Sequence, residues 1–172
     1  CIPTNQDEIA LAGLDLRERT AERHSLSPLL APASVAVVGA GRNPGGVGHE
    51  VLRSLIERGF TGRLYAVNPH ATEIARCPAY PTVSALPEPV DLVVVAVPAH
   101  AVAAVIADAG RARARAAVVL SAGFAETGEA GRAEQATVLR AAREHGMRLV
   151  GPNCLGVLNT DPDVRLAATF AT

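Results

Sequence analysis

Glycines stand at positions 39, 41, 45, 46 and 48 in the stretch SVAVVGAGRNPGGVG, which runs from Ser34 to Gly48. A short apolar run, Ser34 to Val38, precedes them, and an amphipathic run from Val47 to Glu57 follows at once. Strand, glycine-rich turn and helix in that order make a place for an anion. Glycine lets the chain turn tightly and lets a phosphate approach backbone N–H groups at the helix N-terminus without meeting a Cβ. Gly39, Gly41, Gly45, Gly46 and Gly48 are therefore candidates to cradle phosphate, in an arc that also holds Pro44 and Val47. Arg42, in the same turn, carries a guanidinium that can pair two phosphate oxygens at once, although a plain solvent-exposed arginine would look the same in sequence.

A dinucleotide is the first ligand to test against this turn. Gly39-x-Gly41 after a strand fits, but the usual third glycine falls on Pro44, and the loop is longer than the fingerprint. An NAD site also places Asp or Glu at the end of the second strand, to take the ribose hydroxyls. Here that point reads Val67-Asn68-Pro69-His70, without an acid. A neutral or basic residue there suits an extra phosphate near the adenosine ribose, as in NADP or coenzyme A. No GxxxxGK[ST] and no HExxH occurs, and no acids cluster on two strand ends. Ser121 ends a strand, but not in a GxSxG elbow. No catalytic residue and no metal ligand is assigned.

The elements that must position these turns are legible in order. Ser25 caps a short helical turn through Leu29 and Leu30 that Pro32 ends. Strand one is Val35–Val38, and helix one, Val47–Arg58, spaces Val47, Val51, Leu52, Leu55 and Ile56 along one stripe. Strand two is Arg63–Val67. The polar stretch Ala71–Arg76 is at most a short helix, and Cys77–Pro81 and Pro87–Pro89 read as turns. Strand three, Leu92–Val97, is continuously apolar, as expected of a strand buried on both faces. A helix from Ala99 to Ala109, strand four at Ala116–Leu120, a helix from Arg132 to Glu144 and strand five at Arg148–Val150 complete the alternation. This pattern predicts an α/β, Rossmann-like doubly wound parallel sheet of order 3-2-1-4-5, with its switch point between strands one and four. All the turns singled out then lie along the carboxyl edge, where open α/β sheets bind ligands.

Composition sets outer bounds. The chain has 172 residues with 49% hydrophobic but only 3% aromatic content, so Val, Leu, Ile and Ala must build the core. Sixteen basic against seventeen acidic residues give a formal net charge of -1, without a basic block, which argues against nucleic acid and anionic membrane as partners. No apolar run reaches the roughly 20 residues of a membrane-spanning helix, and no signal peptide is apparent, so a cytoplasmic protein is expected. Cys1, Cys77 and Cys154 share no metal-ligand spacing and read as thiols of a reducing compartment. Residues 1–24 read as a lead-in or linker, with Ile9, Leu11, Leu14 and Leu16 able to form a short docked helix. Residues 25–172 read as one domain, a piece of a longer multidomain protein.

Five segments in register carry a resemblance: Ser34–Gly48, Tyr65-Ala-Val-Asn-Pro69, Asp91-Leu-Val-Val-Val-Ala-Val-Pro98, Ser121-Ala-Gly-Phe-Ala-Glu-Thr-Gly128 and Gly151-Pro-Asn-Cys-Leu-Gly156. Together they resemble the CoA-binding domain of NDP-forming (ADP-forming) acyl-CoA synthetases, related to the alpha subunit of succinyl-CoA synthetase. The same module is fused to an acetyltransferase domain in bacterial protein acetyltransferases. The resemblance implies coenzyme A as the ligand, held for thioester formation with an acyl phosphate made elsewhere. It places the diphosphate on Gly39 to Gly48 and the adenosine against Val67, Asn68 and Pro69. His70 stands where the family often has lysine, near the 3′-phosphate, and a free histidine is mostly uncharged at neutral pH. Val97 and Pro98 would wall the pocket, Ser121, Ala122 and Gly123 would meet the pantetheine arm, and Asn153 and Cys154 would lie near the thiol.

The resemblance further implies partners: domains or a subunit carrying a phosphohistidine and an ATP-grasp site, with ATP/ADP and Mg bound there and not here. None of His24, His49, His70, His100 or His145 is then the phosphoryl carrier, and the isolated chain is expected to be inactive. Where the family commonly reads Asn-Ala-Thr, this chain has Ala167-Ala168-Thr169. The alternatives are a CoA- or nucleotide-sensing regulatory module of a protein acetyltransferase, and the NADP-binding domain of a reductase. On residue chemistry alone, Cys154 reads as structural, Asn153 as a brace of its turn, and Glu126 as an exposed loop acid.

Overall fold

A computed structural model of the chain describes residues 25–171. The expected lead-in, His24 and Cys1 lie outside the described residues, as does Thr172. Residues 25–30 are helical and bring Leu29 under the sheet. β1 (Ser34–Val38) is buried along its whole length, because a Val-rich run without charge belongs in the centre of a parallel sheet. After it come α1 (Val47–Glu57), β2 (Arg63–Val67), β3 (Glu73–Ile74), β4 (Cys77–Tyr80) and β5 (Leu92–Val95). The chain continues through α2 (Ala99–Arg111), β6 (Ala116–Val119), α3 (Glu129–Glu144), β7 (Arg148–Val150), β8 (Gly156–Asn159) and β9 (Leu166–Thr169).

The main sheet has the order β3-β4-β2-β1-β5-β6-β7, and β8 and β9 form a separate antiparallel pair. Every pairing in the main sheet is parallel except the short β3–β4 hairpin at one edge. The α/β, Rossmann-like class therefore holds, while the expected strand order needs correction. Leu92–Val95 does not lie beyond Arg63–Val67. It pairs directly with β1, in the register Val35 with Leu92 through Val38 with Val95. The place beside β2 is taken by Cys77–Tyr80, the segment expected to be a turn, with Ala66 opposite Ala79 and Val67 opposite Tyr80. Counting only parallel strands, Cys77–Tyr80 is the third and Leu92–Val95 the fourth. The order is then 3-2-1-4-5-6, and the switch point falls between β1 and β5, not between β1 and Ala116–Val119.

Alternation along the central strands sorts the core into two layers. Ala36, Val38, Val93, Val95, Ala117 and Val119 face Val102 and Ile106 of α2 and Val138 and Ala142 of α3. Val35, Val37, Leu92, Val94 and Val118 face the opposite way, onto Val51, Leu52 and Leu55 of α1 and Leu166 and Ala168 of β9. The predicted stripe of α1 is narrower than expected: Val51, Leu52 and Leu55 are fully buried, whereas Val47 and Ile56 lie at its margins, 41% and 42% exposed. The segment Val164–Phe170, unassigned from sequence, supplies β9, which packs beside α1 and covers the face that a further helix would otherwise cover. Among the described residues no helix is long and apolar enough to cross a membrane.

Candidate ligand-binding site

Hydrogen bonds between successive strand ends tie the predicted turns into one continuous edge. Gly39 N–H donates to Val67 O at 3.1 Å, joining the ends of β1 and β2, and Asn68 Nδ2 donates to Ala40 O at 2.7 Å. Ala96 N–H donates to Val38 O at 2.9 Å across the switch point. Ser121 Oγ donates to Val97 O at 2.5 Å, Asn153 N–H donates to Ser121 O at 3.0 Å, and Cys154 Sγ lies 3.3 Å from Val119 O as donor. Gly39, Asn68, Val97, Ser121, Asn153 and Cys154 thus belong to a single row along the carboxyl ends of the strands.

The glycine turn has the shape its sequence implies. Gly39 has φ +88°, and a Cβ there would run into the Ala96 carbonyl oxygen. Gly48 lies in α1 with ordinary helical geometry, but a Cβ there would stand 2.5 Å from Gly39 O and 2.8 Å from Ala40 N, so only glycine brings the helix this close to the turn. Gly46 is the residue before the first turn of α1, and no side chain caps that end. The N–H groups at the start of α1 therefore have no partner from an N-cap side chain, and the arc Arg42–Val47 before them is exposed, an arrangement open to a phosphate.

Asn68, predicted to line the site, spends its side chain on structure: Oδ1 accepts the His70 N–H at 2.8 Å while Nδ2 holds Ala40 O. Pro69 and His70 are exposed beside it, and Pro98 is exposed at the start of α2. Between β2 and α2 lies a cavity of about 360 Å³ lined by Val38, Val67, Thr82, Val83, Ala101 and Val105, among others. Val38 and Val67, the residues before Gly39 and Asn68, form part of its wall, which is mostly apolar with Asp108 and Arg111 at its polar side, a chemistry that suits an apolar ring. Asp108 secures its rim by accepting the N–H groups of Val83 at 2.9 Å and Ser84 at 3.2 Å and the Ser84 hydroxyl at 2.5 Å.

Three side chains absent from the sequence-derived site brace the turns. His49 Nδ1 donates to Gly41 O at 2.7 Å, and Glu50 Oε1 accepts the Gly45 N–H at 3.2 Å. Glu126, which from sequence looked like an exposed loop acid, accepts the Gly123 N–H at 2.7 Å. That bond, with the N–H groups of Glu126 and Phe124, holds its carboxyl below the usual range. An acid in the first turn of a helix is a sequence signal in its own right, and Glu50 carried it. Asp108 carried no such signal, since it acts through a turn 24 and 25 residues away in sequence.

Cys154 is a free thiol engaged with backbone, and Cys77 is a buried one whose Sγ donates to Leu64 O at 3.0 Å. Burial pushes the Cys77 thiol up to about 11. Among the described residues no group of His, Cys, Asp and Glu could hold a metal ion.

A family described as CoA binding domain matches residues 33–160, the span that contains every strand end of this edge. The chain belongs to this family. Among its curated relatives, an ADP-forming acetate–CoA ligase II of Archaeoglobus fulgidus is 42% identical over 136 residues, covering 79% of this chain and 20% of the relative. The alpha subunit of an ADP-forming acetate–CoA ligase I of Pyrococcus furiosus is 38% identical over 150 residues, covering 85% of this chain and 32% of the subunit. A solved dinucleotide-forming acetyl-coenzyme A synthetase 1 of Ca. Korarchaeum cryptofilum, in complex with phosphate and ADP, superposes with a TM-score of 0.80 at 39% identity. It covers 86% of this chain and 31% of that one. The CoA-binding domain described here corresponds to the CoA-binding region of such synthetases and spans between a fifth and a third of their length.

Proposed function

We propose that this chain binds coenzyme A along the carboxyl edge of its sheet, as the CoA-holding module of an NDP-forming acyl-CoA synthetase. The observation that carries the reading is the mostly apolar cavity at the ends of β1 and β2, walled by Val38 and Val67, together with Asn68-Pro69-His70 after β2 where a dinucleotide site would place an acid. Adenine fills the cavity against Val38, Val67 and Val105. The diphosphate lies on Gly39, Gly41, Pro44 and Gly45–Gly48 at the start of α1, with the exposed Arg42 guanidinium over it. His70 faces the 3′-phosphate. The pantetheine arm runs past Val97 and Pro98 to Ser121, Ala122 and Gly123, and the thiol ends near Asn153 and Cys154.

In the longer protein the sulfur of bound CoA attacks the carbonyl carbon of an acyl phosphate. The acyl carbon–oxygen bond to phosphate breaks, a thioester forms, and the phosphate leaves with the thiol proton. This chain's residues hold and orient the thiol. The acyl phosphate comes from further domains or a subunit with a phosphohistidine and an ATP-grasp site, where ATP/ADP and Mg bind. Residues 25–172 are the CoA-binding domain, and residues 1–24 are its lead-in. The free thiols at Cys77 and Cys154 fit a cytoplasmic setting.

Titration calorimetry of the whole chain with CoA, dephospho-CoA, NAD and NADP tests this reading. CoA is expected to bind most tightly, without turnover. Tighter binding of either dinucleotide would overturn it.

A further inference from the structure

The turn suited to an external anion already holds an internal one. Glu50 reaches back from the first turn of α1, and its Oε1 accepts the Gly45 N–H at 3.2 Å. Its Oε2 accepts from Arg53, at 2.9 Å from Nε and 2.6 Å from Nη2, and Arg53 Nη1 donates to Glu57 Oε2 at 2.6 Å. The hydrogen bond from Arg53, and after it that from Gly45, holds the Glu50 carboxyl below its usual range, so it is charged at neutral pH. The far side of Gly45 is open, since a Cβ there would meet nothing within 4 Å. Gly45 is also exposed, so an anion from solvent can approach this part of the turn and compete with Glu50 for its N–H.

We propose that Glu50 is a built-in competitor of the ligand's diphosphate. In the free protein it occupies the Gly45 N–H, and on arrival of a diphosphate it gives up that bond and is retained by Arg53 alone. The proposal rests on the CoA reading of this edge and adds a determinant of affinity to it. A phosphate oxygen and a carboxylate oxygen cannot both take one N–H along its axis, and the like charges repel at contact distance. Arg53, three residues along the same helix face, neutralises part of that repulsion and gives the displaced carboxylate a second partner. The two side chains should therefore act with opposite signs. Glu50 lowers affinity for any diphosphate-bearing ligand, and Arg53 restores part of it. Neither acts on the pantetheine arm, which meets different turns.

The test is a mutant cycle on the whole chain, read by calorimetry with CoA, inorganic pyrophosphate and pantetheine. Glu50→Gln keeps an acceptor for Gly45 and removes the charge. It should tighten CoA and pyrophosphate by roughly tenfold, the scale of one unit charge near a partly exposed diphosphate, and leave pantetheine unchanged. Arg53→Ala should weaken both anionic ligands several-fold, and Glu50→Gln/Arg53→Ala should return to the behaviour of Glu50→Gln. Equal or weaker CoA and pyrophosphate binding by Glu50→Gln would overturn the proposal and leave Glu50 as a brace of the turn. If pyrophosphate binds, and binds more tightly to Glu50→Gln, while CoA binds neither protein, the CoA reading fails and the competitor role stands. If neither ligand binds either protein, both fall.

Discussion

Gly48→Ala sets two effects of opposite sign against each other at the centre of the site. Gly48 is a residue of α1, and alanine in place of glycine inside a helix favours the helix by about 1 kcal/mol. The new Cβ, however, would stand 2.5 Å from Gly39 O, 2.7 Å from Gly39 C and 2.8 Å from Ala40 N, all backbone atoms of the glycine turn. Ordinary contact begins at 3.4 Å, so helix and turn must part by about 0.9 Å. The turn cannot simply yield, because Gly39 is pinned by its N–H bond to Val67 O and by the Ala96 carbonyl under its own Cα. Overpacking of this kind costs about 1–3 kcal/mol, and a backbone neighbour puts it at the upper end. The net loss is then about 2 kcal/mol, or about 4–8 °C in Tm for a domain of this size. Moving the start of α1 off the phosphate position by that distance also forfeits one charge-assisted hydrogen bond, a loss of about tenfold to a hundredfold in CoA affinity. Urea unfolding followed by calorimetry with CoA measures both. Gly45→Ala is the control: with φ +89° and open space around it, the substitution strains the backbone but separates nothing. A Gly48→Ala protein as stable as the parent, or one that binds CoA equally well, would refute the reasoning.

Other perturbations separate the remaining parts of the site. His70→Lys should tighten CoA several-fold while leaving dephospho-CoA unchanged, since only the 3′-phosphate is added to its surroundings; equal gains for both ligands would remove the residue from that role. Asp108→Ala deprives the Val83 and Ser84 N–H groups of their acceptor, at a cost of about 1–3 kcal/mol in stability, and should weaken CoA and dephospho-CoA alike without affecting pantetheine. Cys77 makes a pH prediction. Its thiol is raised by burial from 9.0 to about 11, so the unfolded chain loses that proton first as pH rises. The associated stability is complete below pH 9 and is lost between pH 9 and about 11, and Cys77→Ala should flatten the urea midpoint across that window. An unchanged slope in the alanine variant would show that other groups, Tyr65 among them, govern the alkaline limb.

What the sequence revealed and what it concealed follow from the range of the interactions involved. Ser34–Val38 and Leu92–Val95 are uninterrupted apolar runs, and burial on both faces of a parallel sheet demands such runs, so their positions could be read directly. Cys77–Tyr80 is different. Its burial runs from buried Cys77 through exposed Pro78 to half-buried Ala79 and Tyr80, and its proline fits only because the strand lies near the sheet margin. Local chemistry there favours a turn, and the pairing of Ala79 with Ala66 and Tyr80 with Val67 makes it a strand. Missing it shifted the count of strands by one and moved the switch point. The β8–β9 pair was hidden for a related reason: Leu166 and Ala168 gain their burial from α1, more than a hundred residues earlier in the chain.

The site divides along the same line. Positions where glycine is required by close approach, such as Gly39 and Gly48, announce themselves by residue type, and the row of strand ends follows once the sheet is parallel. Braces do not announce themselves in this way. Asn68 reads as a ligand contact but is committed on both sides, to Ala40 O and to the His70 N–H, so its amide shapes the turn before any ligand arrives. Glu126 reads as an exposed loop acid and Glu50 shows only as an acid in a first helical turn, yet each carboxylate takes a backbone N–H from one of the turns expected to meet CoA. The two carboxylates differ in what holds them. The Glu126 carboxylate takes only backbone N–H groups, with Gly123 foremost, whereas Glu50 has Arg53 as an alternative partner one turn along α1. Under the proposed competition, a displaced Glu50 keeps Arg53 as a partner, an alternative the side-chain contacts of Glu126 do not show.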